Sequence, residues 1–297
     1  MGIMRNKTIV ALGFFDGVHL GHQALLTECL RLAKEHGCKA AAVTFDTHPQ
    51  TLTTGAAPKM INTVGDRDRL LKAFGMEEVI HLPFDEHIRT MPWHQFLMML
   101  GEQYGAIGFV CGDDFRFGYK GQGNADLLKE YCQTEWHPCG VVSEQVLDGI
   151  RVSSTHIRTL IEAGEMERAN RFLGHRHILT GQVVSGRKLG HTLGFPTANV
   201  LFPEGVVQPK SGVYACRVCI GGLSRFAVCN VGSRPTVNGH QTRTESWVLD
   251  FSGDLYGKEI TIEFCKFLRP EQRFDSLDEL KQAVEKDAKR TREYFAN

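Results

Sequence analysis

The sequence has no excess of either charge. Its 297 residues include 34 Lys and Arg and 34 Asp and Glu, so the formal net charge at pH 7 is zero with neutral histidines. A surface that binds nucleic acid duplexes normally needs a basic excess, and the composition therefore argues against nucleic acid as a partner. Any phosphate that the chain binds must be held by a local arrangement of donors.

No hydrophobic run approaches the roughly 20 residues that a membrane-spanning helix requires. The first residues, MGIMRNKTIVALGFF, join a weakly basic start to a short apolar run, and no small-residue cleavage site follows. We interpret this run as a β-strand rather than a signal peptide. The expectation is a cytoplasmic protein without a membrane partner.

The cysteines lack the regular spacing of a disulfide framework. There are nine of them, an odd number, which is typical of free thiols in a reducing compartment. Cys216 and Cys219 form a CxxC pair, but no second pair accompanies them. They lie in an alternating run, GVYACRVCIGG, where residues three apart point to opposite faces of a strand. We therefore expect core thiols there and no metal.

Strand-like and helix-like segments alternate through the first half. The segments TIVALGFF, KAAAVTF, EEVIHLPF, AIGFVCG and CGVVSEQ read as strands, separated by amphipathic segments such as HQALLTECLRLAKEHG. This alternation predicts a Rossmann-like α/β domain with a parallel sheet. Ligands bind such sheets beyond the carboxyl ends of the strands, where the polar segments GFFDGVHLGH, FDTHP and GDDFRFG stand.

From about residue 177 the pattern changes to short alternating runs separated by glycines, such as ILTGQVVSG and RFAVCNVG. This pattern predicts an antiparallel β-barrel. A terminal helix, SLDELKQAVEKDAKRTREYF, follows, with Ser276 as its N-cap and Glu279 completing a capping box. We place the domain boundary so that residues 1–172 form the α/β domain and residues 173–297 the barrel domain.

His19 and His22 lie three residues apart at the start of a predicted helix. Three interpretations are open. Zinc can use such a pair, although no further ligand lies near at a known spacing. Helix capping and packing is the plainest interpretation. The third is phosphate binding, because a helix N-terminus offers N–H groups and partial positive charge, and Gly17 and Gly21 would let a phosphate approach the backbone.

A second segment, VSSTHIR, has a similar character. Ser153, Ser154 and Thr155 stand just before a helix that carries Arg158. Hydroxyl groups and a guanidinium at a helix start can bind phosphate, and an N-cap with a surface arginine is the alternative. Two such segments in one α/β domain fit a nucleoside triphosphate.

These segments carry a family resemblance. GFFDGVHLGH with SSTHIR resembles the HxGH nucleotidyltransferases, and with FDTHP and GDDFRFG the half resembles the FMN adenylyltransferase domain of bacterial bifunctional riboflavin kinase/FAD synthetases. The resemblance implies that the FMN phosphate attacks the α-phosphorus of ATP and pyrophosphate leaves. Such a reaction needs alignment and positive donors rather than a strong general base.

The resemblance assigns roles to individual residues. It implies catalytic roles for His19, His22 and Arg158. It implies that ATP and its phosphates are bound by Gly13, Phe15, Asp16, Gly17, Gly21, Ser153, Ser154 and Thr155. It implies that the flavin is bound by Asp114, Phe115, Phe117 and Gly118.

The barrel half contains GRKLGHTLGFPTANV. Gly186, Lys188 and Gly190 would let a loop close over phosphates. Thr197 and Asn199 are two residues apart, so in an extended segment their side chains share a face. Two neutral oxygen ligands, with phosphate oxygens and water, suit Mg²⁺. A plain surface turn is the alternative.

The segment ESWVLDF places a carboxylate among apolar residues. Alternation puts on one face Glu245, Trp247, Leu249 and Phe251, and on the other Ser246, Val248 and Asp250. A carboxylate on an apolar face is unusual. It indicates either a solvated position at the barrel mouth or a general base, and Asp250 is the rival candidate.

This half resembles the riboflavin kinase domain of the same enzymes, through GFPTAN, PKSGVYA, NVGSRPT, ESWVLDF and LRPEQRFDSLDELKQ in that order. The resemblance implies transfer of the ATP γ-phosphate to the 5′-hydroxyl of riboflavin. Glu245 would accept the hydroxyl proton, Thr197 and Asn199 would bind Mg²⁺, and Arg269 would contact the flavin. The expected small-molecule partners are riboflavin, FMN and ATP, bound by a monomer or weak homo-oligomer.

The chain departs from the family pattern at a few positions. It has Trp247 where a His is usual, His191 where an Arg is usual, and Phe14 where an Asn is usual. None of these removes a proposed catalytic group. A flavin or nucleotide sensor and an adenylyltransferase with an inactive kinase barrel remain open alternatives.

Overall fold

The computed structural model describes residues 7–48, 58–185, 195–236 and 239–296. It contains two compact units, one formed by Met1–Lys59 and Arg67–Ser153, the other by Met60–Asp66 and Ser154–Asn297. The chain therefore passes from one unit to the other at Ser153, ahead of two helices that belong to the second unit. A domain boundary at residues 172 and 173 stays a prediction.

The first unit is built on a five-stranded parallel sheet with strand order β3-β2-β1-β4-β5, as the alternation predicts. Its strands are β1 (Thr8–Leu12), β2 (Lys39–Phe45), β3 (Glu78–Leu82), β4 (Ala106–Gly112) and β5 (Cys139–Val142), followed by the hairpin β6 (Val146–Leu147) and β7 (Ile150–Arg151). Its helices are α1 (Leu20–Glu35), α2 (Val64–Phe74), of which Arg67 onward belongs here, α3 (Glu86–Thr90), α4 (Trp93–Tyr104) and α5 (Ala125–Thr134).

Strand β1 is buried along its whole length and lies at the centre of the sheet. Val10 and Leu12 join the core on one face, and Ile9 and Ala11 join the core on the other. Coverage of both faces is what a parallel sheet requires. The chain runs from β1 outward to β2 and β3 and then returns to β4 on the other side of β1, so the strand order reverses between β1 and β4. In such sheets the crevice at that reversal is where ligands bind.

The second unit holds a six-stranded antiparallel sheet with strand order β8-β13-β10-β11-β12-β9. Two helices precede it, α6 (Ser154–Ala163) and α7 (Met166–Leu173). The strands are β8 (His177–Gln182), β9 (Thr197–Leu201), β10 (Gly212–Ile220), β11 (Leu223–Thr236), β12 (Gly239–Val248) and β13 (Glu259–Arg269), and α8 (Leu277–Ala296) follows.

The two edges of this sheet approach each other, which confirms the predicted barrel. The N–H of Val184, just after β8, donates to the carbonyl of Asn199 on β9 at 2.9 Å. A Cβ on Gly181 would lie 2.7 Å from Val200 Cγ1, so this close approach of β8 to β9 requires a glycine. All nine cysteines are free thiols, as predicted. Of the two expected core thiols, Cys216 is buried in the barrel and Cys219 is only partly buried.

Helix α8 is capped and tied to the barrel by side chains. The Ser276 hydroxyl accepts the N–H of Glu279 at 3.2 Å, which confirms the predicted N-cap. The Glu279 carboxylate accepts the N–H of Asp275 at 3.1 Å, one residue before the position that a capping box uses. At the far end of the helix, the ring of Phe295 stacks on that of Phe226, with centroids 4.2 Å apart.

His177, the first residue of β8, is a buried imidazole. It is 1% exposed, and within the described part of the chain neither ring nitrogen has a hydrogen-bond partner. Its ring lies 5.7 Å from that of Phe264. Burial, and to a smaller extent the neighbouring His175, lower the pKa of His177 to about 3.

Replacing His177 by Phe should therefore change how stability depends on pH. The unfolded imidazole has a pKa of about 6.5, so as the pH falls the unfolded chain takes up the proton first. The free energy of unfolding should drop below pH 6.5 by up to about 1.4 kcal/mol per pH unit from this group. Urea unfolding at pH 7.5, 6.0 and 5.0 should show a shallower fall in the His177→Phe variant. Equal pH slopes in the two proteins would contradict the prediction.

Candidate active sites

The turn after β1 contains three residues in the left-handed region. Phe15 has φ 58°, Gly17 has φ 81° and Val18 has φ 41°. A β-branched residue such as Val18 rarely adopts a positive φ, and each such strained residue costs about 1–3 kcal/mol and is often found at a functional site. The carbonyl of Phe15 accepts the N–H of Val18 at 3.1 Å, which closes the turn and brings His19 to the start of α1.

His19 is the N-cap of α1, and the phosphate contacts expected of His19 and His22 stay predictions. Its Nδ1 accepts the N–H of His22 at 3.3 Å. The two imidazole rings stack, with centroids 3.6 Å apart and an angle of 13° between their planes. Because Nδ1 of His19 is an acceptor, the neutral ring carries its proton on Nε2.

His22 is held as a neutral imidazole. Burial, then His19 and Arg67, lower its pKa well below the usual value. The ring of Phe15 lies edge-on to it, with centroids 5.3 Å apart. Its Nδ1 is inaccessible to solvent and has no hydrogen-bond partner among the described residues. A buried polar atom without a partner costs stability, and a ligand at this turn would offset that cost for His22.

The glycines of this turn make room for its rings. A Cβ on Gly13 would lie 3.0 Å from the Phe15 ring, and one on Gly21 would lie 3.2 Å from the His19 ring. The N–H of Gly13 is already bonded to the carbonyl of Val43 at 3.2 Å. The predicted phosphate contacts of these glycines stay predictions, and Gly13 would need an atom other than its N–H.

Arg67 of α2 is a residue of this site that sequence reasoning missed. The residue is 2% exposed, and its guanidinium donates to the carbonyls of Phe14 and Phe45. In the sequence it is one of several charged residues of GDRDRLLK, and no local pattern distinguishes it. Asp16, within the turn itself, is also buried.

The VSSTHIR segment begins a helix, as predicted, but Ser154 and Thr155 lie within its first turn rather than ahead of it. Helix α6 starts at Ser154, and Nη2 of Arg158 donates to the Thr155 hydroxyl at 3.1 Å. Ser153 belongs to the first unit, whereas the helix belongs to the second. The pairing of this segment with the histidine turn stays a prediction.

The segment predicted to contact flavin divides into an accessible and a buried part. Asp114 forms an ion pair with Arg151, and the ring of Phe115 is half-buried, 5.8 Å from that of Phe117. Phe117 itself is 6% exposed and is part of the core. Gly118 has φ 72°, and a Cβ there would lie 2.5 Å from the Cα of Trp93. Asp114 and Phe115 are thus at least partly accessible and Phe117 is buried, and the flavin contacts of all four residues stay predictions.

In the barrel, strand pairing brings the predicted kinase residues together. Glu245 on β12 lies opposite Asn199 on β9, and Trp247 lies opposite Thr197. Side chains of opposed residues in an antiparallel pair share a face, with Cβ atoms about 4.5–5.5 Å apart. All four residues therefore lie on one face of the sheet.

The opposite face of β12 points into the barrel and corrects one expectation. Thr244 and Ser246 are fully buried there, and the Ser246 hydroxyl lies 3.0 Å from the Cys229 sulfur. Strand β12 ends at Val248, so the alternation predicted through Phe251 stops early. Asp250, the rival carboxylate, has φ 55° and is exposed in an ion pair with Arg292 of α8 at 3.0 Å. It lies outside the strand that carries Glu245.

Two cavities lie beside the residues of the face that carries Glu245 and Asn199. A small one is lined by Asn230, Gly232, Ser233, Arg243, Glu245 and Glu271. A larger one, of about 740 Å³, is lined in part by Thr197, Asn199, Val248 and Tyr256, and its volume is in the range of small-molecule sites. Four residues with predicted or noted roles in ATP binding lie outside the described residues: Gly186, Lys188, Gly190 and His191.

Two family models match this chain, one in each half of the sequence. The family model described as FAD synthetase matches residues 3–156, and the one described as riboflavin kinase matches residues 173–295. A protein from Listeria monocytogenes named bifunctional riboflavin kinase/FMN adenylyltransferase is 33% identical over 97% of this chain and 92% of its own length. The chain belongs to this bifunctional family.

Other members of the family are similarly related. The Pseudomonas fluorescens enzyme of that name is 36% identical over 94% of this chain and 90% of its own length. The Escherichia coli K12 enzyme is 35% identical over 97% and 92%. A crystal structure described as a macrolide-efflux protein from Streptococcus pneumoniae superposes with a TM-score of 0.87 at 29% identity, covering 98% of this chain and 95% of that one. Within the described residues, no helix has the length and apolar character to cross a bilayer.

Trp247 and Arg269, which were singled out from the sequence, both pack against neighbouring side chains. Trp247, where a His is usual, lies 5.6 Å from the Phe195 ring and contacts the cluster under α8. Arg269, predicted to contact flavin, places Nη2 2.8 Å from the carboxylate of Asp287 on α8, and its guanidinium lies 5.7 Å from the Phe274 ring. Asp287 is 2% exposed. Arg269 therefore ties α8 to the barrel, and its flavin contact stays a prediction.

The Arg269→Met variant should test this tie. It leaves the Asp287 carboxylate buried without its cation, which typically costs about 3–5 kcal/mol. Urea unfolding should show that loss. The matched control is Arg292→Met, which breaks the exposed ion pair with Asp250 and should cost less than about 1 kcal/mol. Similar losses in both variants would mean that Arg269 does not anchor the helix.

Proposed function

We propose that the turn between β1 and α1 is the adenylyl-transfer site and that the β9–β12 face is the phosphoryl-transfer site. As a member of its family, the chain phosphorylates riboflavin to FMN and adenylylates FMN to FAD, with ATP as the donor in both reactions. The single observation that carries the assignment of sites is the different chemistry of the two faces: stacked imidazoles at a helix N-terminus on one, and a carboxylate beside neutral oxygens on the other.

In adenylyl transfer the nucleophile is already an anion. An FMN phosphate oxygen attacks the α-phosphorus of ATP, the bond to the bridging oxygen breaks, and pyrophosphate leaves. The site has to align the two phosphates and stabilise the negative charge that develops. His19 carries a proton on Nε2, and His22 lies against it at the N-terminus of α1. We assign both imidazoles to donate hydrogen bonds to phosphate oxygens, and the catalytic role of Arg158 stays a prediction.

The His22→Ala variant should lower the kcat of FMN adenylylation by about 10²–10³, the usual effect of losing one donor to a developing charge. Riboflavin kinase activity should change less than twofold, because His22 is remote in sequence from the barrel and belongs to the other unit. Both activities are measured on one preparation by resolving the flavins. The control is His87→Ala, an exposed histidine of α3. FAD formation at the wild-type rate in His22→Ala would refute this role.

In phosphoryl transfer the nucleophile is a neutral alcohol, so a group must accept its proton. As the 5′-hydroxyl oxygen of riboflavin bonds to the γ-phosphorus, the bond to ADP breaks and the hydroxyl proton passes to a base. Glu245 is the carboxylate on this face of β12, and it is half-exposed next to a cavity. We assign it as the base.

The residues present fit a magnesium ion bound with ATP. Asn199 is 3% exposed, and its Oδ1 has no hydrogen-bond partner among the described residues. Asn199 and Thr197 both line the larger cavity, which is distinct from the small one lined by Glu245, and neutral oxygens with phosphate oxygens and water suit Mg²⁺. Thr197 and Asn199 would hold the ion, which would offset the charge of the ATP phosphates.

The Glu245→Gln variant should lower FMN formation from riboflavin by about 10²–10⁴, the range of general base catalysis. FAD formation from supplied FMN should stay within twofold of wild type. The control is Asp250→Asn, which changes the rival carboxylate and should keep the kinase activity. Equal loss of both activities in Glu245→Gln would contradict two separate sites. Cytoplasmic location and a monomeric or weakly oligomeric state stay predictions.

A further inference from the structure

We propose that Arg67 is a positioning residue for adenylyl transfer, which holds the turn that carries His22 by binding the peptide carbonyl of Phe14. The inference rests on the proposed role of His22. Arg67 touches no reacting group in this assignment, and its effect passes through the turn.

Arg67 joins the ends of two neighbouring strands. Its Nη1 donates to the carbonyl of Phe14 at 3.1 Å, and its Nη2 donates to the carbonyl of Phe45 at 2.9 Å. Phe14 follows β1 closely, and Phe45 is the last residue of β2. The Phe14 carbonyl also accepts the Thr44 hydroxyl at 3.0 Å. A planar guanidinium can bind two carbonyls at once, whereas a lysine ammonium has no such fork.

The charge of Arg67 is buried where it acts on His22. Burial lowers the pKa of Arg67, and the carboxylates of Asp68, Asp16 and Asp46 oppose that shift. Its guanidinium lies 4.9 Å from the centre of the Phe14 ring. Burying a cation costs free energy. Because a neutral donor could also bind the two carbonyls, joining the strand ends does not by itself explain why a charged residue stands here. The pKa of His22 is lowered by burial first, then by His19, and then by the charge of Arg67.

A short chain of contacts leads from Arg67 to the imidazoles. The Phe14 peptide precedes Phe15, whose left-handed backbone turns the chain. The Phe15 ring then packs edge-on to His22, which stacks on His19. A displaced Phe14 carbonyl would therefore shift the Phe15 ring and the imidazole beside it. Misplacement of a catalytic group by about 1 Å can cost 10²-fold in rate.

A double-mutant cycle on the full chain tests the proposal. The variants are Arg67→Met, His22→Ala and the double variant, and the readouts are kcat and the ATP KM of FMN adenylylation, with riboflavin kinase activity on the same preparation. Arg67→Met should lower kcat tenfold or more and change KM less than threefold. The double variant should be within threefold of His22→Ala, because residues that act through one another are not additive. Arg69→Met, an exposed arginine of α2, is the matched control.

The Arg67→Lys variant distinguishes loss of the positioning contacts from loss of the fold. It keeps the charge but cannot hold both carbonyls, so its kcat should fall between those of wild type and Arg67→Met. If Arg67→Met does not fold, the cycle is run with Arg67→Lys. Multiplicative losses in the double variant, or full activity in the Arg67 variants, would overturn the inference while the loss in His22→Ala still stands. No loss in His22→Ala would instead overturn the role proposed for that histidine, and with it the path from Arg67.

Discussion

A parallel strand that is buried on both faces can present polar groups only at its ends, and this constraint governs the first unit. Strand β1 contributes Ile9 and Ala11 to one core and Val10 and Leu12 to the other, so nothing along it can meet a ligand. The chain turns at Phe14 and Phe15, where the carbonyls at the strand end need donors. Thr44 and Arg67 supply them. The strained turn that follows is tolerated because the Phe14 carbonyl before it is hydrogen-bonded and His19 after it caps α1.

The turn places two imidazoles where charge on a phosphate would be stabilised. His19 caps α1 with Nδ1, and His22 stacks on it in a setting that keeps its pKa low. An imidazolium at His22 would lie 3.6 Å from the His19 ring and at the positive end of a helix, which agrees with a lowered pKa for His22. Neutral imidazoles still donate hydrogen bonds, and a phosphate nucleophile needs no base. The electrostatics of the turn thus agree with the chemistry assigned to it.

In the barrel, strand register rather than a turn at a strand end brings the site residues together. Its interior is filled by buried side chains that include Ser246 and Cys229, while the alternate residues of β12 face outward. Register then decides which groups meet: Glu245 opposite Asn199, and Trp247 opposite Thr197. A proton acceptor and neutral oxygen ligands are brought together from segments more than forty positions apart in the sequence, as an alcohol nucleophile and a nucleotide would require. Helix α8 is held beside this face by the buried pair of Arg269 and Asp287.

Local patterns determined what depends on near neighbours in the chain. They predicted the parallel and antiparallel halves, a helix start near the two histidines, the cap at Ser276 and the shared face of Glu245 and Trp247, because spacings of two to four residues settle capping and strand alternation. Tertiary structure alone decided what distant segments share: the two carbonyls bound by Arg67, the burial of Phe117 and Asp287, and the pairing of β9 with β12. It also ended β12 at Val248. These outcomes depend on packing and hydrogen bonds between residues far apart in the chain, which no short sequence window contains.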